Sequence, residues 1–518
     1  MTMRQALISV SDKTGVVELA KALHAKGIRI ISSGGTAKEL AANGILCTEV
    51  SAVTGFPEIL GGRVKTLQPQ IHGGILARRD MPAHLEELKK HSIEPIDIVV
   101  VNLYPFEETI SGHDDKIITG DIIENIDIGG VALLRASAKN FTDVLVVCDP
   151  ADYAPLVEKL NSGAPDISFR RELAAKAFRH TAYYDALISN YFTLQKFPEQ
   201  LTLPLKKLSG LRYGENPHQE AAAYINSSSH RREGAARARQ LQGKELSYNN
   251  YLDLESAWQL VGEFEKPACG IIKHSNPCGC AEGASILEAY RNALACDRAS
   301  AFGGIIAFNR AVDEETAKEV VGLFTECIIA PEYSPEALAV FAAKKNLRIL
   351  LQPELPRKAA TPEIDYRSLT GAMLVQDRDA ALLTETKTAG KRAPDAAEAA
   401  SLLFAWKVCK HVKSNAIILV RGTQTVGIGA GQMSRIDSVK IASEKMKEVA
   451  IDPSVAAMPL VLASDAFFPF PDVVNAAAAI GVKAIIQPGG SLRDADSIAA
   501  ADSHNIAMLM TAMRHFRH

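Results

Sequence analysis

The sequence predicts a multidomain α/β protein whose amino-terminal part is built on a mostly parallel sheet. Three observations carry this. Short apolar segments alternate with amphipathic helical ones from the start of the chain. Later apolar runs, Ile98 to Val101 and Val144 to Val147, are continuous, as in strands buried on both faces. And 518 residues are more than one hydrophobic core serves.

In chain order, Ala6 to Val10 reads as a strand and Ser11-Asp12-Lys13-Thr14-Gly15 as a polar turn. A helix follows with Val16, Leu19, Ala20 and Leu23 on one face, and Gly27 stops it. Ile28 to Ile31 is the next strand, after which Ser32 to Thr36 opens a second helix. The run Ile98 to Val101 leads into Asn102-Leu103-Tyr104-Pro105, and residues 151–195 read as helical. Lys196-Phe197-Pro198 and Leu203-Pro204-Leu205-Lys206-Lys207 then interrupt the pattern, which places the main boundary after residue 198. Beyond it, Ile271-Ile272, Gly304 to Phe308 and Ala416 to Val420 read as strands among helices. Lys273-His274-Ser275-Asn276 is echoed by Lys410-His411 with Ser414-Asn415, and Ser300-Ala301-Phe302 by Asp465-Ala466-Phe467. The spacings differ, so periodicity alone does not establish a repeat.

Composition narrows the class. A net charge of −3, with 47% hydrophobic and 23% charged residues, is that of an ordinary globular protein without a basic field for nucleic acid or membrane. The apolar stretch Leu7 to Val10 is too short for a signal core, and no run approaches membrane-span length. The eight cysteines, scattered apart from Cys269, Cys278 and Cys280, suit reduced thiols and a cytoplasmic location.

Three hydroxyl- or glycine-rich turns, Ser9 to Gly15, Ser32 to Thr36 and Asp127 to Gly130, stand at strand ends or helix starts, where backbone N–H groups suit a phosphate. Each alone is more often a mere tight turn; together, with Lys13 and Lys38 beside two of them, they point to an anionic ligand. Gly61 to Thr66 adds a basic loop, and Arg135 and Lys139 share a helix face. In the second part, an apolar strand delivers Lys273 and His274 to its end before the turn Asn276-Pro277, a candidate acid–base and electrostatic pair. Zinc deaminases require H-x-E and P-C-x-x-C; here Ser275-Asn276 follow His274, and Cys278 and Cys280 are one residue apart, so zinc is not expected. Arg212, Arg435 and Arg514 are candidates for a bidentate phosphate clamp, although composition does not show that they converge.

The segments SVSDKTG, SSGGTAK, TGFPEILGGRVKT, NLYPF, IDIGGVALLRASAKN, RYGENPHQ, LSYNNYLDL, IIKHSNPCG, SAFGGIIAFN, KSNAI, GIGAGQMSRID, SDAFFPFPD and MRHFRH, in this order, resemble the bifunctional AICAR transformylase/IMP cyclohydrolase family over essentially the whole chain. The resemblance implies a methylglyoxal-synthase-like cyclohydrolase domain, residues 1–198, which closes formyl-AICAR to IMP. It implies a transformylase domain, residues 199–518, of two cytidine-deaminase-like halves (about 199–370 and 371–518). That domain transfers formyl to AICAR from the co-substrate 10-formyltetrahydrofolate, a reduced folate, without zinc. The resemblance also implies a homodimer with shared transformylase sites, and it leaves a bound monovalent cation open.

The family's catalytic positions fall on Lys65, Tyr104, Asp127 and Lys139 for cyclisation and on Lys273, His274 and Asn415 for transfer. Its nucleotide-holding positions in the first domain fall on Ser11, Asp12, Lys13, Ser33, Gly34, Gly35, Thr36, Arg63, Val64, Thr66, Asn102 and Gly129. Those lining the transformylase sites fall on Arg212, Tyr213, Gly303, Glu326, Arg435, Phe467, Ser491 and Arg514. Gln68 replaces a usual His and is given no role, while Val131 and Arg298 replace prolines and read as turn changes. Two rival readings remain, a zinc nucleobase deaminase and an amino-terminal domain that only senses a phosphate ligand. Lys65, Tyr104, Asp127 and Lys139 together favour catalysis over sensing.

Overall fold

The computed structural model describes residues 3–111, 116–229, 233–356 and 363–518. The chain divides into two compact units, Met1–Lys206 with Tyr224–His230, and Lys207–Ala223 with Arg231–His518. Among the described residues no helix is long and apolar enough to cross a membrane.

In the first unit, β1 (Gln5–Val10), β2 (Arg29–Ser32), β3 (Thr48–Glu49), β4 (Ile98–Asn102) and β5 (Leu145–Val147) form one sheet in the order β3-β2-β1-β4-β5. Every pairing is parallel. The continuous apolar runs are buried on both faces: Ile98 to Val101 and Leu145 to Val147 are at most 1% exposed. The stretch read as helical from 151 to 195 holds two α-helices, Tyr153–Ser162 and Ile167–Phe192. Gly163, at φ 140°, and Pro165 separate them. Strand order reverses direction around β1, so the carboxyl ends of β1, β2 and β4 open a crevice of the kind in which α/β sheets bind ligands.

Strands β6 (Leu205–Leu211) and β7 (Ala221–Asn226) form a ribbon where the chain passes from one unit to the other. The second unit then supplies β8 (Arg239–Gln242), β9 (Ala268–Lys273), β10 (Asn276–Glu282), β11 (Ile305–Phe308), β12 (Cys327–Ala330) and β13 (Arg348–Leu351). After a ribbon of β14 (Ile364–Leu369) and β15 (Ala372–Asp377) come β16 (Lys387–Ala389), β17 (Ile417–Arg421), β18 (Gln424–Gly429), β19 (Leu460–Ser464), β20 (Ala484–Gln487) and β21 (Ala507–Met510). Apart from that ribbon they make a single 12-stranded sheet, β16-β21-β20-β19-β17-β18-β10-β9-β11-β12-β13-β8.

That order is one motif used twice. Each half has a hairpin (β9/β10, β17/β18), an antiparallel step (to β11, to β19), two parallel steps (β12 and β13, β20 and β21) and an antiparallel edge (β8, β16). The halves meet where β10 pairs antiparallel with β18. Helices Tyr248–Val261 and Ala396–Cys409 correspond, each 14 residues long and each opened by a capping box, at Ser247 and at Asp395. Both bury a tryptophan whose indole N–H donates to a carbonyl, Trp258 to Glu233 (2.7 Å) and Trp406 to Leu382 (2.8 Å).

An offset of 148 residues relates Ser247 to Asp395, Trp258 to Trp406 and Glu263 to His411. The echoes read from the sequence are therefore not the repeat. Lys273 to Asn276 form the β9/β10 turn, whereas Ser414-Asn415 precede β17; Ser300 to Phe302 precede β11, whereas Asp465 to Phe467 follow β19. Antiparallel pairing brings these inequivalent segments to the same rim of the sheet.

Near the ends of the two matched helices, Glu263 accepts from Lys410 Nζ (2.8 Å) and lies 3.1 Å from His411 Nε2; Lys410 and His411 are buried, and the Glu263 side chain is 13% exposed. Burial opposes ionisation of Glu263, but His411 and Lys410 hold its carboxyl down at about 2, while burial keeps the His411 imidazole low and neutral. Removing one partner of such a pair strands the other's charge. Glu263→Gln should therefore cost roughly 3–5 kcal/mol at pH 7 by urea unfolding. A depressed carboxyl contributes stability above its ordinary value of 4.5 and loses it as pH falls toward about 2, so the gap to wild type should close over that window.

Candidate active sites

The first-unit crevice has a volume of about 610 Å³ and is lined by the ends of β1, β2 and β4 with the segment Asp127 to Gly130. Two helices point their amino termini into it, Gly34–Ala42 and Gly129–Lys139. Unpaired N–H groups and the helix dipole make such ends attractive to an anion. Ser33 precedes the first helix, with its hydroxyl buried and unpartnered among the described residues. Gly34 takes φ 54°, a conformation glycine adopts without strain, and Lys65 Nζ stands beside the helix start, 3.6 Å from where a Gly34 Cβ would be. Lys13 donates to the carbonyls of Val10 and Ser11. Burial lowers its pKa, and the Lys65 charge lowers it further against the pull of Glu39 and Asp12. A bound phosphate would relieve that repulsion.

Asp127 accepts from Gly130 N–H (2.7 Å), and its own N–H donates to the Tyr184 hydroxyl. Burial raises its carboxyl above the ordinary aspartate range, opposed by N–H groups of Gly130 and Tyr104 and by Lys65. Tyr104 and Thr66 line the same cleft.

Several assigned residues are occupied by the protein itself. Asn102 accepts from the N–H groups of Ser11 and Asp12 (2.5 and 2.9 Å) and donates to Asp12 O (2.9 Å), so its amide builds the turn. Thr36 Oγ1 both accepts from and donates to Val10, and Asp12 caps Thr14. Arg63 pairs with Glu124 at the mouth, and Val64 holds the loop by pairing with Ile59. Gly35 and Gly129 present backbone to the cleft, and Thr66 Oγ1 sits 3.0 Å from where a Gly129 Cβ would be.

Lys139 is not brought to the cleft. It ends the helix that Gly129 begins, about 15 Å of helix rise away, and is exposed. The helix runs antiparallel to the strands, which carries its last turn to their amino ends. Gln68 starts the helix Pro69–Leu76 and does not line the cleft. Val131 lies in the first turn of its helix, and Arg298 is the first residue of the helix Arg298–Ala301, both positions that tolerate proline.

In the second unit the motif residues gather at one rim, where β11 and β12 begin and β19 ends. Lys273 closes β9 and donates to Phe302 O (2.8 Å). His274 and Ser275 form the two-residue turn, at φ 54° and 60°. Hairpins of this kind favour Asn-Gly, and a residue with a Cβ held left-handed costs on the order of 1–2 kcal/mol. Asp253, on the helix Tyr248–Val261, takes both turn N–H groups (3.2 and 2.6 Å) and reaches the Ser275 hydroxyl (3.3 Å). Asn276 Oδ1 accepts from Lys413 N–H (2.9 Å), which ties this turn to Ser414-Asn415. Asn415 Nδ2 donates to Gln432 O (2.9 Å). The carboxyl-terminal tail completes the clasp: Ser414 N–H donates to Arg517 O (2.9 Å), and Arg517 N–H to Ser414 Oγ (3.1 Å).

Two supposed ligand-binding side chains are engaged internally. The Arg435 guanidinium contacts buried Asp465 (2.8 Å), Ser464 Oγ (2.9 Å) and Phe467 O (3.3 Å), so it fixes the rim rather than standing free as a clamp. Glu326 pairs with Arg348 (2.6 Å). Gly303, at φ 76°, donates to Phe324 O beside the exposed rings of Phe302 and Phe324, whose centroids are 5.2 Å apart at an interplanar angle of 45°. Ser491 caps Arg493 in the loop after β20. Arg212 lies over the Tyr213 ring and Arg514 over that of Phe516; both arginines are exposed and neither hydrogen-bonds the Lys273 cluster. Asp253, Ser414, Gln432, Arg517 and the Phe302–Phe324 pair escaped the sequence reading. Asp253 and Ser414 lie inside recognised motifs, yet nothing in a linear motif shows what a side chain holds.

The profile of the AICARFT/IMPCHase bienzyme family matches residues 137–445, and that of the MGS-like domain residues 15–132. The chain belongs to the AICARFT/IMPCHase bienzyme family. It is similar to the bifunctional purine biosynthesis protein PurH of Persephonella marina, 52% identical over 99% of this chain and 100% of that protein. It is also similar to PurH of Bradyrhizobium diazoefficiens (52%; 99% and 98%) and of Brucella ovis (53%; 100% and 97%). Among solved structures, the crystal structure of ForH aligns at a TM-score of 0.34 with 35% identity, covering 37% of this chain and 100% of that one. This member of the bienzyme family is accordingly a bifunctional enzyme of purine biosynthesis, an AICAR transformylase and IMP cyclohydrolase, with an MGS-like amino-terminal domain on its parallel sheet.

Proposed function

We propose that the two activities divide between the units, cyclisation in the first-unit crevice and formyl transfer at the second-unit rim. The assigned domains are residues 1–198 and 199–518, the latter in halves of about 199–370 and 371–518. The formyl donor is 10-formyltetrahydrofolate, and the protein works as a cytoplasmic homodimer. The observation that carries the division is the crevice itself: two helix amino termini, Lys13 and Lys65, and a half-buried acid, Asp127, facing one cavity.

At the rim, the AICAR amine is conjugated to its ring and is a poor nucleophile, so transfer needs a base and a stabilised oxyanion. The amine attacks the formyl carbon as His274 takes its proton, Lys273 stabilises the developing charge, and Asn415 orients the formyl group through the part of its amide that Gln432 leaves free. The bond to the donor nitrogen then breaks, and the proton held by His274 passes to that nitrogen as tetrahydrofolate leaves. The exposed Phe302 and Phe324 rings suit a flat aromatic donor. In the crevice, the carboxamide nitrogen attacks the formyl carbon and water leaves. Lys65 stabilises charge there, and Asp127 and Tyr104 move the protons. Lys139 receives no step, because one chain does not bring it to the cavity. Rapid cyclisation draws the less favourable transfer forward.

Asp127→Asn tests the division. Supplied with formyl-AICAR, the variant should cyclise about 100-fold more slowly, with formyl transfer to AICAR unchanged. The wild-type acid limb should lie above pH 3.8, because a raised carboxyl becomes the basic carboxylate only at higher pH, and the variant should lack that limb. Equal loss of both activities in a folded variant would refute the division.

A further inference from the structure

We infer that Asp253 is a positioning residue for formyl transfer: its carboxylate locks the His274-Ser275 turn in the left-handed conformation that presents Lys273 and His274 at the rim. The inference rests on the assignment of Lys273 and His274 to that reaction.

The turn is the weak point of the site. A two-residue hairpin of this shape is usually left to Asn-Gly, whose residues take positive φ readily, yet here it carries His274 and Ser275. Backbone held in sparsely populated regions persists only where its surroundings over-determine it. Here the surroundings are one carboxylate. Asp253 Oδ2 accepts from His274 N–H (3.2 Å), and Oδ1 from Ser275 N–H (2.6 Å) and the Ser275 hydroxyl (3.3 Å). No other side chain among the described residues takes those two N–H groups. Asp253 rides on a helix that a capping box opens and that buried Trp258 seats in the same core as strand residues Ile272 and Ile305, so the clamp has a rigid anchor. From there the order passes outward. Asn276 Nδ2 donates to His274 O (3.2 Å), and its Oδ1 takes Lys413 N–H, next to Ser414-Asn415. One carboxylate thus aligns both strands of the catalytic constellation without touching a reacting atom.

The test uses the full-length chain. Asp253→Asn keeps the shape but turns one acceptor into a donor facing an N–H. Its kcat for formyl transfer should fall about 100-fold, the scale of a small misplacement of catalytic groups, with KM for AICAR changed less than about 3-fold and cyclisation unchanged. Adding Ser275→Gly removes the steric objection to positive φ and should restore kcat at least about 10-fold. A catalytic or merely structural Asp253 would not be rescued this way. Asp253→Asn within about 3-fold of wild type, or any loss that Ser275→Gly does not relieve, overturns the inference. His274→Ala, measured alongside, separates the two readings: an active His274→Ala refutes the assignment beneath, whereas an inactive one beside a fully active Asp253→Asn refutes the clamp alone.

Discussion

His274→Ala should cut formyl transfer by about 10²–10⁴-fold while cyclisation of supplied formyl-AICAR proceeds at the wild-type rate. The size follows from what the imidazole does: a positioned base accelerates loss of the amine proton, and nothing else among the rim residues described is placed to replace it. Lys273 points to Phe302 O, and Asp253 is engaged by backbone N–H groups. Because His274 sits in an exposed turn, truncation leaves no cavity and the fold should survive. Restoration of transfer by added imidazole would strengthen the assignment. Cyclisation falling in parallel would mean that the two activities do not occupy separate sites.

A chain ending at Phe516 should lose about 100-fold in kcat for formyl transfer although every assigned catalytic residue is retained. Only Arg517 and His518 are removed, but Arg517 supplies the carbonyl and the N–H that grip Ser414, the neighbour of Asn415. Arg517→Ala keeps that backbone pair and should cost far less. His515, buried beside Trp406 with its imidazole 2.6 Å from Asp379, still anchors the tail in both variants. Steady-state kinetics on the two proteins decides the matter, and similar losses in both would move the role from backbone to guanidinium.

How much of this was legible beforehand depended on the range of the interaction. The parallel sheet of the first unit was plain because runs such as Ile98 to Val101 are buried on both faces and carry that fact in their own composition. The crevice residues were legible too, since turns at strand ends must fall at one end of a parallel sheet. The position of Lys139 was not legible, because a shared motif says nothing about which end of a helix a residue occupies. Arg435 looked like a free cation until Asp465, thirty residues on, was seen to hold it. The duplication was sensed through the wrong residues. Its true markers, Trp258 and Trp406, are core residues without chemistry, whereas the visible echoes were reactive residues collected at one rim from unlike positions.

The repeated hairpin places a two-residue turn at each of the two opposite rims of the long sheet. At one, His274 and Ser275 are held in a demanding backbone conformation; at the other stand Gly422 and Thr423, where Gly422 takes φ 56° without hindrance. The same scaffold thus offers two addresses and only one is occupied by reactive groups. For protein engineering the vacant one is an asset. It is a rigid hairpin apex, related to the working one by the internal repeat, on which a recognition sequence or a second reactive cluster could be grafted while the native chemistry continues at the far side.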